Sequence, residues 1–211
     1  MSARTENLSP ETEMDGRRLR SIRNRELVAQ TTLELLREGY LDPSVDDIAT
    51  RSGLSQRTVF RLFGDVEQLF SAAVAVQAER VGALLGSLQV SGSRKARVQR
   101  LVKARARLYE EVSPVRRFAL RHAPFQPVIR EGIDQLNAVL RGQLEELFEV
   151  EISSAPRSER HGLTDRLSVI TSWSVWESLR TDQHLSIKAS EAAVTRLLAA
   201  TIVDVCGPEE D

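Results

Sequence analysis

The sequence predicts an all-α protein: an N-terminal three-helix unit containing a helix-turn-helix, followed by a larger helical region. Three observations predict it. Apolar residues recur at steps of three and four along most of the chain, most cleanly at Ile129, Ile133, Leu136, Leu140, Leu144 and Leu147. Ser, Asp and Gly stand where helices begin and end, at Gly39, Ser44, Gly53, Ser55, Gly64, Asp65 and Ser186. No segment alternates at period two, so no sheet is expected.

The elements follow in order. Residues 1–16 hold Ser, Thr, Glu, Asn and a Pro with little apolar content, and read as a disordered tail. Order is expected from Arg17, where a first helix carries the stripe Leu19, Ile22, Ala29, Leu33 and Leu36, flanked by Val28 and Leu35, up to a glycine C-cap at Gly39. Ser44 with Asp47 three residues on reads as a capping box, opening a short second helix over Val45–Ser52 that Gly53 breaks. Ser55 caps a third helix reaching Phe63, and Gly64 with Asp65 ends it and starts a long fourth one bearing Leu69, Phe70, Ala73 and Val81. A Ser and Gly stretch over 86–93 separates that helix from one bearing Val98, Leu101, Leu108 and Val112. Pro114, Pro124 and Pro127 are expected to cut out a short helical piece over 115–122 before a strong helix that Pro156 ends. Two last helices are expected, over 158–182 and Ile187–Cys206. The domain organisation expected is thus a tail over 1–16, a helix-turn-helix domain over 17–64 and a larger helical domain over 65–211.

Composition narrows the function classes. With 28% charged and 41% hydrophobic residues the chain is an ordinary globular sequence, long enough to bury a real core. Cys206 is the only cysteine, which excludes an intrachain disulfide and points to a reducing interior, so a cytoplasmic location is expected. No run of about 18 apolar residues is available to span a bilayer, and the N-terminus is polar, so neither export nor insertion is expected. The net charge of −1 is uneven. Residues 17–63 hold nine basic and six acidic side chains, making this segment the more basic part, with five arginines over 17–25.

The functional signal lies at 44–63. A helix-turn-helix needs a small residue where its helices touch, a glycine four residues later to turn the chain, and a buried aliphatic residue six further on; Ala49, Gly53 and Val59 satisfy this. Ile48, Leu54 and Leu62 supply other core positions, while Ser52 occupies one that is often apolar. The stretch Ser44-Val45-Asp46-Asp47-Ile48-Ala49, then Arg51-Ser52-Gly53-Leu54-Ser55 and Thr58-Val59-Phe60-Arg61-Leu62-Phe63, resembles the N-terminal domain of the TetR family of transcriptional regulators over roughly 18–75. The resemblance implies DNA binding by the first three helices, a small-molecule pocket in the C-terminal domain, and a homodimer formed by the last two helices on a near-palindromic operator, with repression relieved by the ligand. It places Ser44 and Ser55 at helix N-termini near phosphate, and Gln56, Arg57, Thr58, Phe60 and Arg61 on the recognition helix, where Arg57 suits a guanine edge and Gln56 an adenine edge. Phe60, Leu62 and Val66 depart from the Tyr, His and Lys common in the family, which implies fewer phosphate contacts and a shallow to moderate salt dependence. The competing reading is a helical ligand-binding or adaptor protein that has lost DNA contact.

No catalytic machinery is legible. His122, His161 and His184 lack metal-ligand spacing, the serines sit in caps and loops, and no phosphate-cradling glycine loop appears, so neither a cofactor nor a metal is expected. Leu108, Phe118, His122, Phe125, Trp173 and Trp176 are the expected lining of a pocket between helices. The basic stretch 94–121, with ten basic residues against Glu110 and Glu111, is either an entrance for an anionic ligand such as a carboxylate or acyl thioester, or a solvated face. Val194, Leu197, Leu198, Ile202 and Val205 are the expected dimer seam, together with the segment around Trp173 and Leu179.

Overall fold

The computed structural model describes residues 10–209, which form ten helices and, among the described residues, no strand. They are α1 (Pro10–Arg37), α2 (Val45–Ser52), α3 (Gln56–Phe63), α4 (Val66–Leu84), α5 (Arg94–His122), α6 (Pro127–Leu147), α7 (Glu149–Ser154), α8 (Arg160–Ile170), α9 (Trp173–Thr181) and α10 (Ile187–Cys206). No helix is long and apolar enough to cross a membrane.

Two large apolar clusters organise them, with a small third one of Ala119, Ala123, Ile129 and Ile133. The N-terminal cluster joins Val28, Leu33 and Leu36 of α1 to Ile48 and Ala49 of α2, Val59, Leu62 and Phe63 of α3, and Leu69, Phe70 and Ala73 of α4. Val115 and Phe118 of α5 complete it. The larger cluster lies among α4, α5, α6, α8, α9 and α10, around Leu101, Tyr109, Leu144, Leu167, Trp176 and Leu198. The apolar cores therefore do not part at the expected boundary after residue 64, because α4 contributes its first turns to one core and Val81 to the other.

Five expectations need correction. Residues 10–16 are the start of α1 rather than tail; proline is tolerated at a first helical position, where its missing N–H has no intrahelical acceptor. Residues 1–9 of the expected tail lie outside the described residues. The α1 stripe also begins later than its periodicity suggests: Leu19, Ile22 and Leu27 are exposed, and burial starts at Val28, because the first half of the helix runs past the core. Pro114 does not divide α5, which is continuous from Arg94 to His122. The proline removes one backbone donor, but Val112, Val115 and Phe118 are buried on both sides of it, and packing holds the helix together.

The remaining two corrections concern breaks that no proline marks. α6 stops at Phe148, well before Pro156, since Phe148 is fully buried and α7 turns Glu151 inward to meet Arg97 Nη2 at 2.6 Å. The expected helix over 158–182 is two helices: Thr171 gives its carbonyl to the Tyr109 hydroxyl at 2.7 Å, and Ser172 caps α9 by accepting from Val175 N at 3.3 Å.

Candidate functional site

The helix-turn-helix is built by local chemistry that the sequence dictates. Ser44 Oγ accepts from Asp47 N at 3.1 Å while Asp47 Oδ2 accepts from Ser44 N at 2.9 Å, a reciprocal cap that fixes the start of α2. The Ser44 hydroxyl and backbone N–H hold the Asp47 carboxyl below the usual carboxylate range. Gly53 follows at φ 70°, a left-handed conformation in which a Cβ would be strained, and Leu54 N closes the turn onto Ala49 O at 3.1 Å. Ser55 then caps α3 by accepting from Thr58 N at 3.2 Å, and its hydroxyl also meets Thr58 Oγ1 at 2.9 Å. Ala49 and Val59 are buried, as the motif requires.

Burying Val59, Leu62 and Phe63 turns the opposite face of α3 outward, by the 3.6-residue repeat. Gln56, Arg57, Phe60 and Arg61 occupy that outward face and are all exposed. Arg57 and Arg61 make no hydrogen bond or ion pair with any described residue. Gln56 is engaged, its Nε2 donating to Asp46 Oδ1 at 2.7 Å. Arg51 is also taken, forming a two-pronged pair with Glu38 at 2.7 Å on both nitrogens, which holds the Glu38 carboxyl low. Leu62 and Val66 pack into the N-terminal core, so neither offers a polar group outward. The site thus presents two uncommitted guanidinium groups flanking an exposed phenyl ring, beside the capped ends of two helices.

Arg25, one of the five arginines over 17–25, is exposed but engaged within the protein. Its Nη1 donates to the Leu62 carbonyl at the end of α3, and its guanidinium carbon lies 4.5 Å from the centre of the Phe63 ring. Arg25 therefore braces α3 from α1. The signal was available in its spacing, three residues before Val28, the first buried residue described in the helix.

The expected ligand residues do not share one cavity. Phe118 lies in the N-terminal core, 4.5 Å edge-on to Phe70; His122 stacks on Phe118 at 4.2 Å and approaches Asp42 at 3.5 Å. Phe125 is 82% exposed. Leu108 and Trp176 are buried in the larger core, Trp176 donating through Nε1 to Glu110 Oε1 at 2.9 Å. None of the six lines the cavity of about 240 Å³ that opens between α4, α5 and α6, walled by Val81, Val112, Ile129, Ile133, Leu136 and Val139 with Gln77 and Arg116. Trp173 lines a second cavity of about 260 Å³ together with Tyr109, Arg116 and Asn137. Aromatic rings suggested a pocket wall but are used here as core, and small aliphatic residues on facing helices leave the space.

The expected dimer seam is corrected residue by residue. Val194, Leu198 and Ile202 are at most 4% exposed and belong to the larger core of their own protomer. Leu197 is 48% exposed and Val203 45%, on the other side of α10, and Val169 of α8 is 62% exposed. Val205 packs partly against the core. The final helix is apolar on two faces, and its periodicity alone gives no means of choosing which one is the outer.

No protein-family model matches the chain, and no curated protein matches it in sequence. Solved structures do match in fold. A transcriptional regulator from Rhodococcus sp. Rha1 superposes with a TM-score of 0.69 at 16% identity, over 88% of this chain and 99% of that one. A TetR-family transcriptional regulator from Streptomyces coelicolor gives 0.65 at 16% identity, over 84% and 81%. A TetR transcription regulator from Haloarcula marismortui gives 0.61 at 17% identity, over 86% and 97%. The chain has the fold of the TetR-family transcriptional regulators: an N-terminal helix-turn-helix unit followed by a helical C-terminal region.

Proposed function

We propose that this protein is a DNA-binding transcriptional regulator that acts as a homodimer, represses by occupying a near-palindromic operator, and is released when a small molecule enters its C-terminal region. The observation that carries the reading is the outward face of α3, where Arg57 and Arg61 stand exposed and unengaged on a helix whose every other anchor is satisfied. Arginines in such a position reach guanine edges or phosphates of a major groove, and Phe60 between them offers apolar contact to a thymine methyl. Ser44 and Ser55 at the N-termini of α2 and α3 suit phosphate contacts that fix the register.

A single helix of this length reads few base pairs, so two copies related by a two-fold axis, about 34–36 Å apart, are needed to engage successive major grooves. The exposed Leu197, Val203 and Val169 on α8 and α10 are the apolar surface suited to that pairing. The cavity between α4, α5 and α6 is the place for the ligand, since α4 also forms part of the N-terminal core.

Selection of binding sites from random duplex DNA, followed by titration of the selected site, tests the reading. The double variant Arg57→Ala with Arg61→Ala is expected to lose about 100-fold or more in affinity at unchanged helical content. Selection of no sequence by the wild-type chain, or undiminished affinity in the variant, refutes DNA recognition by this face and favours an adaptor that has lost its DNA contact.

A further inference from the structure

The cavity between α4, α5 and α6 has apolar walls and two lining residues, Gln77 and Arg116, that each carry a fully covered donor atom with no acceptor among the described residues. Gln77 is only 5% exposed, and its Oε1 accepts from Arg37 Nη2 at 3.0 Å, which fixes the amide so that Nε2 is the free end. That Nε2 has no acceptor among the described residues. Arg116 stands in the wall shared with the second cavity: it donates from Nη2 to Asn137 Oδ1 at 3.0 Å and lies with its guanidinium carbon 5.3 Å from the centre of the Trp173 ring, both residues of that second cavity, while its Nε has no acceptor among the described residues.

Arg97 and Arg117 of α5 have a carboxylate partner, and Arg105, whose Nε also lacks an acceptor, has none among the described residues. Arg97 pairs with Glu151 at 2.6 Å and Arg117 with Glu177 at 2.5 Å. Arg105 gives two of its donors to Leu140 O and Gln143 Oε1 at 2.8 and 2.9 Å. Arg116 has no carboxylate partner among the described residues, and none of the sixteen residues lining the cavity is acidic. Partial burial pushes its pKa down, with no carboxylate beside it to offset that. A half-buried cation with no carboxylate beside it adds nothing to the packing of the apolar walls. The lining therefore carries one positive charge and no acid, which selects an anion.

We propose that this cavity binds an organic acid with an apolar body, its carboxylate paired with Arg116 and its chain or ring held between α4, α5 and α6. The proposal deepens the ligand reading given above and rests on it for its regulatory meaning. A monoanion fits better than a phosphate ester, since Arg116 is the only charged residue in the lining and a doubly charged group calls for more than one cation. The apolar walls, chiefly Val81, Val112, Ile133, Leu136 and Val139, take the remainder, in a space far larger than the ~30 Å³ share of one water.

The test uses the full chain without DNA, so its outcome is separable from that of operator release. The chain has two tryptophans; in a Trp176→Phe background Trp173, in contact with the Arg116 guanidinium, is the sole reporter. Decanoate is expected to change its emission saturably and to bind about tenfold or more tightly than decanamide, which has the same chain and no charge. Arg116→Gln is expected to remove that preference while leaving decanamide binding intact. Gly132→Leu is the second variant: Gly132 lines the cavity and a Cβ there meets nothing within 4 Å, so the larger side chain takes up cavity space, and decanoate binding is expected to be lost at unchanged helical content. Equal binding of acid and amide, a preference that survives Arg116→Gln, undiminished binding in Gly132→Leu, or no saturable binding of either decanoate or 4-phenylbutanoate overturns the proposal.

Discussion

Leu197 and Leu198 are neighbours in sequence with opposite roles, and substituting each separates stability from assembly. Leu198 is fully buried among Val194, Ile202 and the α5 and α8 side of the core, so Leu198→Ala leaves a cavity and is expected to cost about 3 kcal/mol. For a chain of this size that lowers the thermal midpoint by about 10 °C. Leu197 is 48% exposed in the protomer, where its replacement changes stability by no more than about 0.5 kcal/mol. In the proposed dimer, however, Leu197→Glu places two unpaired carboxylates in a symmetric apolar seam, one from each copy. At about 2 kcal/mol each, the association constant falls by roughly a thousandfold. Sedimentation velocity reads assembly, and thermal melts over a dilution series read the protomer. The expected pattern is a folded monomer for Leu197→Glu and a destabilised dimer for Leu198→Ala. A wild-type sedimentation mass for Leu197→Glu, together with a stable folded monomer for Leu198→Ala, refutes the assignment of faces on α10.

Two further variants probe the charged groups. Arg25→Ala removes the bond to the Leu62 carbonyl and the contact with Phe63, and is expected to cost about 2 kcal/mol in denaturant titrations. Because Arg25 braces rather than contacts phosphate, the slope of log affinity against log salt on a selected operator should stay constant; a drop of about one would place it on the DNA. Glu151 supplies a pH dependence. Burial pushes its carboxyl up, but Arg97 and Arg94 outweigh this and hold it below the ordinary value of 4.5, so its contribution to stability is full above that value and is lost as pH falls through the lower folded pKa. Glu151→Ala is expected to cost about 3 kcal/mol at neutral pH and to flatten the acid limb of the stability curve. An acid limb unchanged from wild type rules the pair out as its source.

Local chemistry made the N-terminal unit legible. Ser44 with Asp47, Gly53, Ser55 and Gly64 each act within a few residues of themselves, and the helix boundaries they set appear in the structure as expected. The C-terminal region was less legible because its breaks depend on distant partners. The kink at Thr171 requires Tyr109, and the end of α6 at Phe148 requires Arg97 and Glu151, sixty-two and about fifty residues apart in sequence. The candidate site divides in the same way. Arg57 and Arg61 follow from the period of one short helix, whereas the cavity depends on how three helices leave space, and aromatic content was a poor guide to it. Two polar residues were the better signal: Gln77 interrupts an apolar stripe between Ala73 and Val81 on α4, and Arg116 follows Val115 on the inward side of α5.

The position of Gln77 bears on how the two halves of the molecule communicate. Its amide joins Arg37, the last residue of α1, and the same Arg37 Nη2 reaches Glu111 Oε1 of α5 at 2.8 Å. One guanidinium thus ties the end of α1 to both long helices that border the cavity. α4 and α5 each contribute to both apolar cores without interruption, α5 even across Pro114, so neither helix has a joint at which displacement near the cavity is absorbed. Any movement of α4 that accommodates an occupant must then shift Leu69, Phe70 and Ala73 against α1, or break the Arg37 contacts. Because α3 is anchored to α1 through Arg25 and to the shared core through Leu62 and Phe63, a shift of that kind re-aims the outward face of α3 as a unit rather than unfolding it.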